Sequence, residues 1–368
     1  MNESVIGWIA ILIMLPVVII TTVIPWLTRR IESFGVTIPE TRQQHPVIAR
    51  LRKQYLWLSG IIGLAATLSM ALFTPNLEDE QAGGLLIAGH VIGYILLTFV
   101  LYIKQHYAVK RLKEQEKWDT SQVSRALVSV TFRNERLTHS SFWFVPHALL
   151  LLATALLGVL GYDKFPDMIP MHYGFDGEVT RAVPKSYLSV LWPAMVQGFL
   201  LIVFLFVNYV IGQSKQVVEA SDPEGSLKRN VKFRRYWSAY LILMGFLLMA
   251  LFDIFLISML LDWSVAAGNI AVFAVVGAAL IGSFALSMFA GQGGSRLKRQ
   301  EGQGVATVQL ADQDQYWKLG QFYFNRQDPA LFVEKRFGIG WTVNFARPIV
   351  WLIFAAIVLV PLLISWLV

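Results

Sequence analysis

The chain has 368 residues, of which 55% are hydrophobic and 15% charged, with no cysteine and a formal net charge of +7. That composition excludes an ordinary soluble domain, and the missing thiols exclude disulfides, thiolate chemistry and cysteine-bound zinc. The positive balance does not mark a nucleic-acid binder, because the basic residues fall on one side of a series of apolar stretches, where they set orientation and attract anionic headgroups.

Eight such stretches run over residues 4–26, 55–73, 84–103, 142–160, 187–212, 237–261, 269–290 and 349–368. Each approaches or exceeds the ~20 helical residues that cross a hydrocarbon core. The connections 27–54, 104–141, 213–236 and 291–348 hold 6, 8, 6 and 8 of the 31 basic residues, whereas 74–83, 161–186 and 262–268 hold 0, 3 and 0. The alternation predicts an all-α integral membrane protein, an eight-transmembrane-helix bundle with both termini extracellular and four cytoplasmic basic loops. The first run lacks a basic leading segment and exceeds a signal-peptide core, so it is expected to remain as a span. Nothing resembles an organellar transit peptide, which points to a bacterial plasma membrane.

Taken along the chain, this gives five parts: 1–141 with three helices, 142–212 with a helix pair around an outer loop, 213–290 with helices six and seven, 291–348 as a cytoplasmic linker and platform, and 349–368 as the last helix. In the first basic loop, Pro39 and Pro46 break the chain, and HPVIARLRKQY is expected to run as a helix into the second span, its Arg50, Arg52 and Lys53 meeting lipid phosphates. KQHYAVKRLKEQEKW is expected to extend the third span as a helix, and the alternation in LVSVTF predicts a strand. ASDPEG is a turn cluster ahead of the basic run LKRNVKFRR, and GQGGSRLKRQEGQG has linker composition.

Ionisable groups inside spans need partners or water. His90 and Asp253 each lie roughly 9–12 Å below the outer surface, with Gln197 near the midplane. They either line an outward-facing cavity or are satisfied locally, His90 as a packed neutral imidazole and Asp253 by a neighbouring helix. Asn208 and His147 fall near helix ends, and Gly277, Ala278, Ala279 and Gly282 predict a close helix contact.

The outer loop reads GYDKFPDMIPMHYGFDGEVTRAVPKS. Pro166 and Pro170 restrict the backbone around Ile169, and Asp176-Gly177 is a turn dipeptide, so a compact hairpin-like cap is expected. His172, Asp176 and Glu178, with Asp163 and Asp167 nearby, supply nitrogen and oxygen donors for a metal, but without any recognised ligand spacing. Carboxylates beside a turn equally serve as solvated or backbone-capping groups. No phosphate-binding glycine loop and no hydrolase motif is present, so neither an enzyme nor a cofactor is assigned.

The last basic loop carries DQYWKLGQFYFNRQDPALFVEKRFGIGWTVNFARP. LFVEKRF and WTVNF around GIG predict two short strands. Trp317, Lys318, Phe322, Tyr323, Asn325, Phe332, Glu334, Lys335, Arg336, Trp341 and Asn344 form either a docking surface for a cytoplasmic regulatory partner, a lipid-headgroup site, or the core of a small β-containing cytoplasmic platform.

The order Pro166-x-x-Ile169-Pro170-x-His172-Tyr173, followed by Gly177 and Lys185, resembles an outer-loop domain of formally unknown function best known from bacterial SdpI-like proteins. FGVTIPE resembles their cytoplasmic FGxRIP segment, with Thr37 where the family commonly has arginine. Residues 316–348 resemble a second uncharacterised bacterial family with YWKxGxFYxN and DPxLFVEKRxGxGWTxNF. The first resemblance implies immunity to, or sensing of, an envelope-active peptide or lipid, with relay to a cytoplasmic partner. A transporter with an outward-facing cavity around His90, Asp253 and Gln197 is the alternative, and a metal-dependent membrane enzyme using His172 is the third reading.

Overall fold

A computed structural model describes residues 3–73, 80–118, 125–126, 135–173, 179–219, 222–261, 265–298, 308–309 and 314–367. Among these lie eight α-helices: α1 (Glu3–Val23), α2 (Pro46–Phe73), α3 (Glu80–Gln115), α4 (Val145–Leu160), α5 (Tyr187–Gln213), α6 (Pro223–Leu261), α7 (Val265–Ala290) and α8 (Pro348–Leu367). Seven of them, α2 to α8, contain a stretch long and apolar enough to cross a membrane, which makes the chain a multi-pass membrane protein. The stretch expected as the first span forms α1 and the 3-10 turn Ile24–Trp26 that follows it, with a shorter apolar segment over Ile11–Trp26.

The helices outrun their apolar windows where the sequence turns basic. Pro46 opens α2, where a missing N–H costs nothing, so HPVIARLRKQY continues into the span without a break. The KQHYAVKRLKEQ segment likewise extends α3, and LKRNVKFRR forms the early turns of α6, whose 39 residues reach about 58 Å at 1.5 Å each. At the ASDPEG turn Gly225 N donates to Asp222 Oδ1 (3.1 Å), satisfying one of the open amides of the first turn of α6.

Among the described residues, ten short strands form antiparallel pairs: β1 (Glu32–Ser33) with β2 (Val36–Thr37), β3 (Arg125–Ala126) with β6 (Val308–Gln309), β4 (Met168–Tyr173) with β5 (Val179–Pro184), β7 (Trp317–Lys318) with β8 (Phe322–Tyr323), and β9 (Phe332–Glu334) with β10 (Trp341–Val343). The strands expected around GIG are β9 and β10. The strand expected at LVSVTF, residues 127–132, lies outside the described residues.

The chain forms two compact units, one of residues 1–135, 214–233 and 284–347, the other of 136–213, 234–283 and 348–368. In the first unit, α1, α2 and α3 pack around Met14, Val18, Met70, Ile87 and Tyr94. A second core gathers Phe34, Val36, Ile38, Ile48, Tyr55, Tyr102 and Phe337. The FGVTIP segment is thus buried as the turn and second strand of the tight β1–β2 hairpin. Gly35 makes the turn with φ +74°, and a Cβ there would lie 2.5 Å from both Gly320 O and the Tyr102 hydroxyl. Only glycine satisfies both the left-handed angle and that approach.

The Gly-rich start of the expected linker is packed rather than loose. Gln292 is fully buried, its N–H donating to Leu27 O (2.8 Å), its amide donating to Lys335 O (3.1 Å) and Gly340 O (2.9 Å), and its Oε1 accepting from Gly340 N (2.7 Å). Composition alone reads a glycine cluster as flexible. Here the glycines provide positive φ and close approach for a buried turn.

In the second unit α4 and α5 lie side by side, α8 packs on α5, and the β4–β5 hairpin seals a core of Phe165, Ile169, Val190 and Leu256. His147 reaches Ile242 O (3.0 Å), and Asn208 accepts from Ser238 (2.6 Å) and donates to His139 O (3.2 Å), so both helix-end polar residues join neighbouring elements. Of the small residues on α7, Ala279 and Gly282 receive Tyr240, whose hydroxyl donates to Ala279 O, while Gly277 has open space beside it.

Candidate functional site

The hairpin between α4 and α5 is built to hold a rigid edge. Gly161 ends α4, and a single 3-10 turn, Tyr162–Lys164, leads into the strand. Pro166 is exposed at the entry and Ile169 is 1% exposed in the core. Lys185 closes the base: its N–H donates to Asp167 O (2.8 Å), its ammonium donates to Phe165 O (2.8 Å), lies 3.5 Å from the Asp167 carboxylate and sits 5.6 Å over the Tyr162 ring. Pro170 faces Ala182 in register and His172 faces Arg181, so the strand is bulged between them. Pro170 has no N–H to give to the ladder, and a bulge is where a strand tolerates that. The bulge also breaks the two-residue alternation, letting consecutive Met171 and His172 both face one pocket.

That pocket has a volume of about 280 Å³. Its polar members are His172 and Arg181 from the hairpin and Ser365 from α8. One face of α5 supplies Trp192, Val196, Phe199 and Leu200 at helical spacing, and α8 supplies Pro361 and Ile364. Among the described residues Arg181 makes no ion pair, and the buried indole N–H of Trp192 has no hydrogen-bond partner. A guanidinium and an imidazole at one side of an apolar slot suit an amphiphile whose anionic group meets the cation while its apolar part lies on the helices. Tyr173 pairs with Val179 in the ladder. Asp176, Gly177 and Glu178 lie outside the described residues, and among the described residues no group of three His, Asp or Glu side chains is placed to hold a metal.

Within the same unit, α4, α5 and α6 meet at a carboxylate. Asp253, 8% exposed, accepts from the Thr154 hydroxyl and from Gln197 Nε2 (2.9 Å), while Gln197 also donates to Met249 O (3.0 Å). Gln197 Oε1 is buried without a partner. The carboxylate therefore rests on neutral donors inside an apolar bundle, a costly arrangement that marks residues worth testing. Thr154 is invisible to a search for ionisable residues, and nothing in sequence spacing points to it. His90 belongs to the first unit and is satisfied there: Nδ1 donates to Leu86 O (2.8 Å), which fixes Nε2 as the acceptor for the Ser69 hydroxyl (3.0 Å). The structure brings Gln197 and Asp253 together and gives His90 separate partners.

The residues of the aromatic block fold into the first unit. Trp317, Tyr323 and Val333 form a small core, with the first two rings 5.1 Å apart, and Trp341 packs against Phe233 at 5.5 Å. Asn344 is fully buried and ties the block together, donating to Asn325 O, Asp328 O and Ala330 O and accepting from Asn325 N (3.0 Å). Asn325 in turn accepts from Gln327 N (2.9 Å), and the Tyr323 hydroxyl donates to Asp328 (2.7 Å). Lys318 and Lys335 are exposed.

Beneath this block runs a buried ionic network. Glu334, 1% exposed, accepts from Arg29 and from Asn230 Nδ2 (2.7 Å), and Arg29 also pairs with Glu32 at 3.3 Å. Arg336 pairs with Asp314, lies 4.0 Å from Glu32 and stacks 5.0 Å over the Trp317 ring. Lys113 (2.7 Å) and the Thr37 hydroxyl (2.8 Å) complete the surround of Asp314. Burial would raise the Asp314 carboxyl, but Arg336 and Lys113 hold it down to about 2. Glu32 goes the other way: burial raises it against the pull of Arg29 and Arg336, and its Oε2 has no partner. Burial correspondingly lowers Arg29. Thr37 thus joins the FGVTIP segment to this network through Asp314.

Two segments match known family models. Residues 149–196 match a domain of unknown function, DUF1648, the domain of SdpI-like proteins, and residues 326–351 match a family of unknown function, DUF5808. The first spans most of α4, the hairpin and the start of α5, and so contains His172, Arg181, Trp192 and Val196. The second contains Glu334, Arg336, Trp341 and Asn344. No curated protein and no solved structure matches the chain.

Proposed function

We propose that this chain is an SdpI-like receptor of a bacterial plasma membrane, with eight spans and both termini outside, that senses or gives immunity to an envelope-active peptide or lipid. The hairpin pocket takes the ligand, and the aromatic block on the cytoplasmic side relays occupancy to a regulatory partner through its exposed Lys318 and Lys335. The observation that carries this reading is that Arg181 and His172, which have no ion pair or side-chain hydrogen bond among the described residues, share a pocket with apolar walls from α5 and α8. A ligand with an anionic group and an apolar body answers both halves of that lining. The DUF1648 match over the pocket-bearing segment supports the same reading.

The test is native mass spectrometry of the full chain extracted gently from a bacterial membrane. An amphiphile retained by the wild type and lost in Arg181→Gln and His172→Ala, but kept in Lys164→Gln, supports it. Equal retention in all of these variants overturns it. A second reading, transport of a small solute, is favoured by the Asp253–Gln197–Thr154 cluster. It requires that Asp253→Asn lower solute flux while hairpin variants leave flux unchanged.

A further inference from the structure

A groove of about 730 Å³ in the first unit runs between the early turns of α2 and the part of α3 around Lys104. Three cations line it, Arg50 and Lys53 from α2 and Lys104 from α3, and no carboxylate lines it among the described residues. Elsewhere in this unit basic side chains take carboxylates where they can: Arg30 meets Glu40, Arg42 meets Glu116 and Lys113 meets Asp314. The three groove cations form no ion pair among the described residues. Three like charges side by side repel one another and call for an anion.

Gln105 gives a second, independent indication. It is 2% exposed, lines the groove and makes no hydrogen bond among the described residues. A side chain so placed offers its amide to a polar occupant of the groove. About 10 Å from Arg50 along α2, Trp57 and Leu58 are 67% and 42% exposed and form the apolar continuation of the groove. Tryptophan at that depth is characteristic of the level where headgroups give way to acyl chains.

We infer that this groove binds an anionic phospholipid. Arg50, Lys53 and Lys104 hold its phosphate oxygens, Gln105 donates to a phosphate or glycerol oxygen, and the first part of an acyl chain lies along Trp57 and Leu58. Three cations match two phosphates better than one, so cardiolipin is favoured over a single-phosphate lipid.

The experiment titrates delipidated, full-length protein in detergent with cardiolipin, phosphatidylglycerol, phosphatidylcholine or inorganic phosphate, reading bound species by native mass spectrometry. One cardiolipin should bind several-fold more tightly than phosphatidylglycerol, and phosphatidylcholine should not compete. Each cation is worth roughly a five-fold change, so R50Q/K53Q/K104Q should weaken binding on the order of a hundred-fold. Gln105→Leu, which leaves the charge unaltered, should weaken it several-fold. The charge-matched control R111Q/K232Q/K298Q, exposed positions outside the groove, should bind as the wild type does. Equal weakening in the control reduces the effect to diffuse charge and overturns the site, as does unchanged binding in Gln105→Leu. Displacement of the lipid by inorganic phosphate alone would assign the groove to a soluble phosphate compound instead.

Discussion

Replacing Glu334 by alanine is the sharpest test of the buried network. Glu334 is 1% exposed and receives Arg29 and Asn230, and Arg29 is itself 3% exposed with Glu32 as its other partner at 3.3 Å. Removing one member of a buried pair leaves the other desolvated and uncompensated, which typically costs about 3–5 kcal/mol. Glu334→Ala should destabilise the first unit by that amount, and Arg29→Met by a similar one. The double variant Arg29→Met/Glu334→Leu removes both charges and replaces them with apolar volume, so it should fall within about 1–2 kcal/mol of wild type. Equilibrium unfolding in mixed micelles, followed by near-UV circular dichroism, measures all three. Strictly additive single costs, or single costs below about 1 kcal/mol, would refute the claim that these groups stabilise one another.

The network also sets a pH dependence with two opposed arms. Asp314 is held down to about 2 from an ordinary 3.8, so its contribution is complete above pH 3.8 and is lost as pH falls toward 2; with a quarter of the side chain exposed, about 1–2 kcal/mol is at stake. Glu32 is raised above its ordinary 4.5, so the folded state binds the extra proton and stability declines as pH rises from that value. Glu32→Gln should abolish that decline in a pH series of unfolding midpoints, while Asp314→Asn should abolish the acid arm. Lys185→Ala removes the ammonium contacts at the hairpin base and should speed proteolytic cleavage within residues 165–185 several-fold relative to wild type. Thr154→Val leaves Asp253 with one side-chain donor and should cost about 1–2 kcal/mol in the same unfolding assay.

The helices were legible because hydrophobic runs and loop charge act over short windows. The continuation of α2 back to Pro46 and of α3 through the KQHYAVKRLKEQ segment followed from the same local rules. The β9–β10 pair was readable because a glycine bend separates two β-prone runs. The pairings that make the sites were not. Glu32 lies three residues from Arg29, a spacing sequence can suggest, but Glu334 lies 305 residues away and Asp314 reaches Lys113 across 201. Thr154, Arg181 and Trp192 acquire roles only when a bulge and two helices bring them to Asp253 or the pocket. His90 was singled out for being ionisable in a span, yet a serine and a carbonyl of its own unit satisfy it. Trp317, Tyr323 and Asn344 stood out by composition, which left docking, headgroup and core roles open, and all three are buried within the block.

Gln292 carries a lesson for anyone handling this chain. A glycine-rich stretch between a helix and an aromatic block looks like the natural place to splice in a fluorescent reporter or a protease site. Here the stretch is a clasp: one side chain grips the Lys335–Gly340 turn through three hydrogen bonds, and its own amide holds Leu27. A reporter inserted between Gln292 and Leu297 would pry apart segments more than 260 residues distant in sequence. The permissive site and the keystone look alike in composition, and only the hydrogen bonds tell them apart.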